Sequence, residues 1–146
     1  MTHTIESTRF GELAIADEAV IEFPDGLIGI GGSRFTLLAR EADSAFRWLH
    51  SIDDPSLAIP VTNPFAFFAD YAVELSDAEA ERIGVTDPAD ADVYVTVRAG
   101  AALEDFAANL LAPILISKGR GWQVINEAPD MSVRAPLFAE LAEQAA

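Results

Sequence analysis

From residue 92 to residue 99 the chain alternates without interruption. Polar Asp92, Tyr94, Thr96 and Arg98 interleave with apolar Val93, Val95, Val97 and Ala99. An extended chain points successive side chains to opposite faces, so this run predicts an antiparallel strand with one face buried. Shorter runs at 8–13, 19–23, 34–39, 46–52 and 57–62 read as further strands, separated by residues that turn a chain. Pro24-Asp25-Gly26 is such a turn, because proline presets φ and glycine accepts a positive one. Asp53-Asp54-Pro55-Ser56 and Asn63-Pro64 break the chain in the same way. Within 46–52, Phe46, Trp48 and His50 share one face, and Arg47, Leu49 and Ser51 the other. Pro60 marks 57–62 as an edge or bulged strand, since proline donates no ladder hydrogen bond. Gly11, inside 8–13, reads as a bulge or a close approach.

Helical signals are confined to two places. Ser76 followed by Glu79 is a capping box, and Gly84 stands where a C-terminal glycine is expected, which predicts a two-turn helix over 76–83. The segment PLFAELAEQ (136–144) reads as a terminal helix with Leu137, Phe138 and Leu141 as its apolar stripe. Between them, the apolar run 106–117 is interrupted by Pro113, so it is a kinked strand or two short ones. Lys118-Gly119-Arg120-Gly121 is a turn, and 122–125 the returning strand. Regularly spaced short strands with so little helix predict an all-β fold. The expected architecture is a single compact antiparallel β-barrel-like domain over 1–146, with one or two short helices and frayed ends at 1–7 and 139–146.

Composition narrows the function classes. A chain of 146 residues, 51% hydrophobic, buries one core and is not disordered. Without cysteine it has no disulfide framework and no thiolate metal site. The start lacks the basic and apolar regions of a signal peptide, and no apolar run is long enough to span a bilayer, so a cytoplasmic protein is expected. The formal charge of −15 repels phosphates and anionic lipids, so neither nucleic acid nor membrane is expected as a partner, and basic proteins are. The charge is densest over 70–92, where Asp70, Glu74, Asp77, Glu79, Glu81, Asp87, Asp90 and Asp92 face Arg82 alone. A solvated helix face accounts for such a run as well as a docking surface does.

Candidate chemistry is sparse. Gly29, Gly31 and Gly32 do not make a phosphate loop, and no lysine follows them. Asp53 and Asp54 could act as paired carboxylates, but beside Pro55 and Ser56 they read as turn residues. His50 with Asp53 is short of the three or four ligands a metal needs, and His3 is the only other imidazole. Ser51 and Ser56 lack a nucleophile elbow. No cofactor is implied. Lys118 and Arg120 read as a solvated hairpin tip or a contact for an acidic surface.

Several blocks in order, TRFGEL (8–13), FPDGLIGI (23–30), WLHSIDDPSLAIPVTNPF (48–65), NLLAPILIS (109–117), WQVI (122–125) and SVRAPL (132–137), resemble the flagellar assembly factor FliW family. The resemblance leaves out the acidic middle, 76–92, and the alanine-rich end. It implies a compact β-barrel-like, non-enzymatic regulator. Such a protein binds CsrA, a basic mRNA-binding repressor, and relieves its block on flagellin translation. It also binds flagellin, which couples synthesis to level. On this reading Phe67, Phe68 and Tyr71 are the candidate apolar anchor and Asp70, Glu74, Asp77 and Glu81 its acidic rim, although core packing accounts equally for the rings. Two other readings are a small hydrolase-type enzyme using Asp53, Asp54 and His50, and a flagellin chaperone that does not bind CsrA.

Overall fold

A computed structural model describes residues 2–39, 46–68, 70–84, 91–98, 101, 105–129 and 131–137. The strands in chain order are β1 (Thr2–Ser7), β2 (Gly11–Ala16), β3 (Ile21–Glu22), β4 (Arg34–Leu38), β5 (Phe46–Ser51), β6 (Ala58–Thr62), β7 (Asp92–Arg98), β8 (Ala107–Ala108), β9 (Ile114–Ser117), β10 (Arg120–Gln123) and β11 (Ala135–Pro136). The helix α1 (Asp77–Ile83) lies between β6 and β7, and short 3-10 turns occupy Asp17–Ala19 and Pro64–Ala66.

The strands β3-β4-β5-β6-β7-β9-β10 pair in that order and then close back on β3. Closure leaves this sheet without an open edge. Neighbours are antiparallel except where the ring shuts, at the parallel β10–β3 pair. Only Arg120 and Glu22 are in register there, and Glu22 N–H donates to Gly119 O at 2.9 Å. The expected all-β barrel is therefore present, with one parallel pairing that local patterns did not indicate. β8 and β11 extend the sheet from the C-terminal end of β7.

Two apolar cores follow from the pleat. Ile21, Phe23, Phe35, Leu49, Val61, Ile114 and Ile116 fill the barrel interior. Val93, Val95, Val97 and Leu115 point the other way, into an outer core with Ile83, Leu110 and Val124. β9 therefore buries both faces, which is why Ile114, Leu115 and Ile116 are all apolar ahead of the half-buried Ser117. Pro60 fits β6 for a specific reason. Ser51 N–H donates to Leu57 O at 2.9 Å, so hydrogen-bonded pairs fall at Leu49–Ile59 and Arg47–Val61, with Trp48–Pro60 between them. The Pro60 nitrogen then faces away from β5, on the side where β7 pairs only from Val61 onward.

The structure departs from the sequence reading at both ends. Residues 2–7 were expected to fray, yet they form β1, registered with β2 from Thr2–Ala16 to Ser7–Gly11. Residues 8–13, expected as one strand, are instead the turn of this hairpin and the start of β2. Ser7 Oγ accepts from the Arg9 and Phe10 amides at 3.2 and 3.1 Å, and Gly11 takes φ 76°. At the other end Ala135–Pro136 is a strand and Leu137 is buried; the remainder of the expected helix and the tail 139–146 lie outside the described residues.

Candidate protein-binding face

The segment that follows β6 starts with a cap. Asn63 Oδ1 accepts from Phe65 N–H at 2.9 Å, and Pro64 suits the first helical position because its missing N–H has no partner to lose. The chain then runs across the outer core. Phe67 and Phe68 pack on that core, and Phe67 lies 5.7 Å from Phe46. Tyr71 is 7% exposed, so its ring is part of the core and not free for a partner. Burial pushes the Tyr71 phenol up from its ordinary value, against the opposing hydrogen bond from Asn126. Of the aromatic residues in this stretch, Phe65 is the one that projects, half exposed and edge-on to Tyr71 at 5.5 Å.

Asn126 holds the segment down. It is 2% exposed and uses both ends of its amide. Oδ1 accepts from Glu74 N–H at 2.9 Å and Ala128 N–H at 3.0 Å, while Nδ2 donates to Ala72 O at 2.8 Å and Tyr71 Oη at 3.3 Å. A buried amide so fully paired substitutes for a strand neighbour, fixing 71–74 against 126–128. Nothing in the sequence pattern distinguishes Asn126 from a loop asparagine.

The helix forms as its caps predict. Ser76 Oγ accepts from Glu79 N–H at 3.1 Å, and Gly84 takes φ 72° while its N–H donates to Ala80 O. Ile83 anchors it in the outer core. Arg82 is consumed internally: its guanidinium meets the Glu79 carboxylate at 3.0 Å and also bonds Asp25, tying α1 to the Pro24-Asp25-Gly26 turn. Asp70, Glu74, Asp77 and Glu81 are exposed and stand in no ion pair among the described residues. The acidic stretch, as far as Gly84, is thus a surface whose only cation is already matched; 85–90 lie outside the described residues.

Of the residues of the enzymatic reading, Asp53 and Asp54 border one open cleft with Ser51 and Leu57, and His50 does not join them. His50 is fully buried beneath the β1–β2 hairpin. Its Nδ1 bonds Ser51 O at 2.7 Å and its Nε2 bonds Ser7 Oγ at 2.8 Å, so neither nitrogen faces solvent. Phe10 packs beside it and against Trp48, and Arg9 covers the Trp48 ring at 4.4 Å. Asp53 pairs with Arg34 at 2.5 Å, which holds its carboxyl below the usual carboxylate range. Asp54 accepts from Ser56 Oγ and N–H, which lowers its carboxyl too. His3 lies with Asp17, at 2.6 Å. Lys118 and Arg120 border an open cleft of about 400 Å³ shared with His3, Asp17, Glu22 and Arg34.

Fold and site together define a small closed-barrel scaffold with an outer layer, whose described carboxylates and arginines serve turns and ion pairs or lie on the surface, while His50 and Tyr71 are buried and hydrogen-bonded. The FliW protein family model matches residues 4–137. The flagellar assembly factor FliW of Ruminiclostridium cellulolyticum is 33% identical over 144 residues, covering 96% of this chain and 97% of its own. That of Desulfitobacterium hafniense strain Y51 is 34% identical over 139 residues, covering 93% and 91%. A crystal structure of the flagellar assembly factor FliW superposes with a TM-score of 0.82 at 29% identity, covering 92% of this chain and 96% of that one. The chain belongs to the FliW family of flagellar assembly factors.

Proposed function

We propose that this flagellar assembly factor works by docking other proteins, breaking no bond: it binds the basic repressor CsrA, relieves repression of flagellin translation, and binds flagellin in turn. Support for a basic partner lies in one observation, the exposed and unmatched carboxylates of Asp70, Glu74, Asp77 and Glu81 beside a single arginine already held by Glu79 and Asp25. On a molecule of net charge −15, that face speeds encounter with a cationic protein and disfavours RNA.

Calorimetric titration with CsrA, and separately with flagellin, tests the reading. Binding of CsrA should weaken as salt rises, since exposed charges are screened beyond about 10 Å at 0.1 M. Absence of CsrA binding at low salt overturns the assignment. Binding of flagellin alone would leave a flagellin chaperone.

A further inference from the structure

The large apolar side chains that stay exposed among the described residues are Ile28, Phe65, Ile125 and Val133. Two of them flank one glutamine. Ile28 N–H donates to Gln123 Oε1 at 2.8 Å, and Gln123 Nε2 donates onward to Ala112 O at 3.0 Å, so the loop carrying Ile28 is pinned to β10. Beyond β10 the chain stays extended: Val124 N–H bonds Pro113 O and Asn126 N–H bonds Leu111 O. Val124 and Asn126 are buried, and Gln123, Ile125 and Glu127 form the opposite row, which runs from half-buried Gln123 to exposed Ile125 and Glu127. Ile125 is thus the next residue of that row after Gln123, about 7 Å along the chain.

The surroundings of this pair are acidic. Asp25 lies in the Pro24-Asp25-Gly26 turn, three residues before Ile28, which sits in the next turn closed by Ile30 N–H on Leu27 O; Asp25 shares Arg82 with Glu79, and Arg82 also reaches Gln123 O at 3.5 Å. Glu127 follows Ile125 in the row and its N–H bonds Glu74 O at 2.8 Å. Asp25, Glu74, Glu79 and Glu127 are thus linked through Arg82, Gln123 or backbone hydrogen bonds to the segments that carry the two isoleucines, with Arg82 the cation bonded among them. Ile28 is 60% exposed and Ile125 47%, values that burial in this fold does not explain.

We infer that Ile28 and Ile125, rimmed by Asp25, Glu74, Glu79 and Glu127, are the docking centre for a basic protein surface that presents an apolar side chain. Charge complementarity selects the occupant: a cationic surface matches the rim, whereas a second copy of this acidic chain is repelled by it. Apolar contact at the centre supplies the affinity that rim charges alone do not. This deepens the CsrA reading and rests on it. It also moves the apolar anchor from Tyr71, which is buried, to residues outside the 67–81 stretch.

The test is titration of CsrA with the full chain and with Ile28→Ser and Ile125→Ser, using Phe65→Ser and Val133→Ser as equally exposed controls. Each isoleucine variant should weaken binding by about tenfold, the scale of a truncated anchor, and the controls by less than about twofold. Thermal melts verify that the variants fold. Glu127→Gln should flatten the salt dependence without abolishing binding. Isoleucine variants that bind as the parent does overturn the inference while leaving the CsrA assignment intact. Failure of the parent itself to bind removes both.

Discussion

Substituting Gly121 with alanine probes the barrel interior directly. Gly121 is on β10 between Arg120 and Trp122, which lie on the opposite face with Trp122 against the outer core, and its own face meets the Phe23 ring. A Cβ at that position would stand 2.5 Å from two Phe23 ring carbons and 3.1 Å from a third. Ordinary carbon contacts lie near 3.5–4.0 Å, so about 1 Å must be made up. Phe23 has little room to yield. It is fully buried and held edge-on by Phe35 at 5.4 Å. Forcing a methyl into a packed core costs about 1–3 kcal/mol, and the rigid ring places this site at the upper end. A loss of about 3 kcal/mol lowers Tm by roughly 6–12 °C for a chain of this size. Urea and thermal denaturation followed by circular dichroism would measure it. Gly31→Ala, where nothing lies within 4 Å and φ is not positive, serves as the neutral control. Combining Gly121→Ala with Phe23→Leu should recover about 1 kcal/mol relative to the sum of the single changes, because the smaller side chain vacates the slot. If Gly121→Ala melted within about 0.5 kcal/mol of the parent, the close approach of Phe23 to β10 would be wrong.

Asn126→Ala should cost more than about 2 kcal/mol, since it strands the Glu74 and Ala128 amides and the Ala72 carbonyl, and amide exchange near 72–74 should speed up while the barrel strands stay protected. Unchanged exchange there would remove Asn126 from its tethering role. The Arg34–Asp53 pair sets a small acid-limb effect. Because Asp53 titrates lower when folded than when unfolded, its stabilisation is complete above the unfolded value near 3.9 and is lost as pH falls through the folded one. Arg34→Gln should therefore lower stability slightly at neutral pH, with the difference vanishing in strong acid or high salt. A gap that widened on acidification would contradict the sign.

Much of the architecture was legible because its determinants are local. The alternation of Val93, Val95 and Val97 was fulfilled residue by residue, each being buried. Ser76, Glu79 and Gly84 bounded α1 through hydrogen bonds that span only one turn. Pro113 divided its apolar run into β8 and β9 as the missing N–H requires. The candidate face was legible only in its charge. Asp70, Glu74, Asp77 and Glu81 are exposed, as solvation of carboxylates dictates, but which rings lie beneath them depends on packing. Phe68 and Tyr71 look alike in sequence to Phe65; only the last projects, because the outer core receives the others.

The amino-acid sequence by itself determined the strand periods, the turn and cap chemistry, the absence of thiol chemistry and the sign of the surface, since each depends on neighbours within a few residues or on composition. Tertiary structure alone decided that β10 meets β3 in parallel to shut the barrel, that the end of the chain supplies Asn126 to the 71–74 segment, and that Gly121 is bare because Phe23 fills its place. Gly121 reads locally as one more turn glycine after Lys118 and Gly119, yet the turn ends at Gly119. The reason is physical: a pairing between segments distant in the chain is chosen by which surfaces exclude water together, and no short window contains both partners.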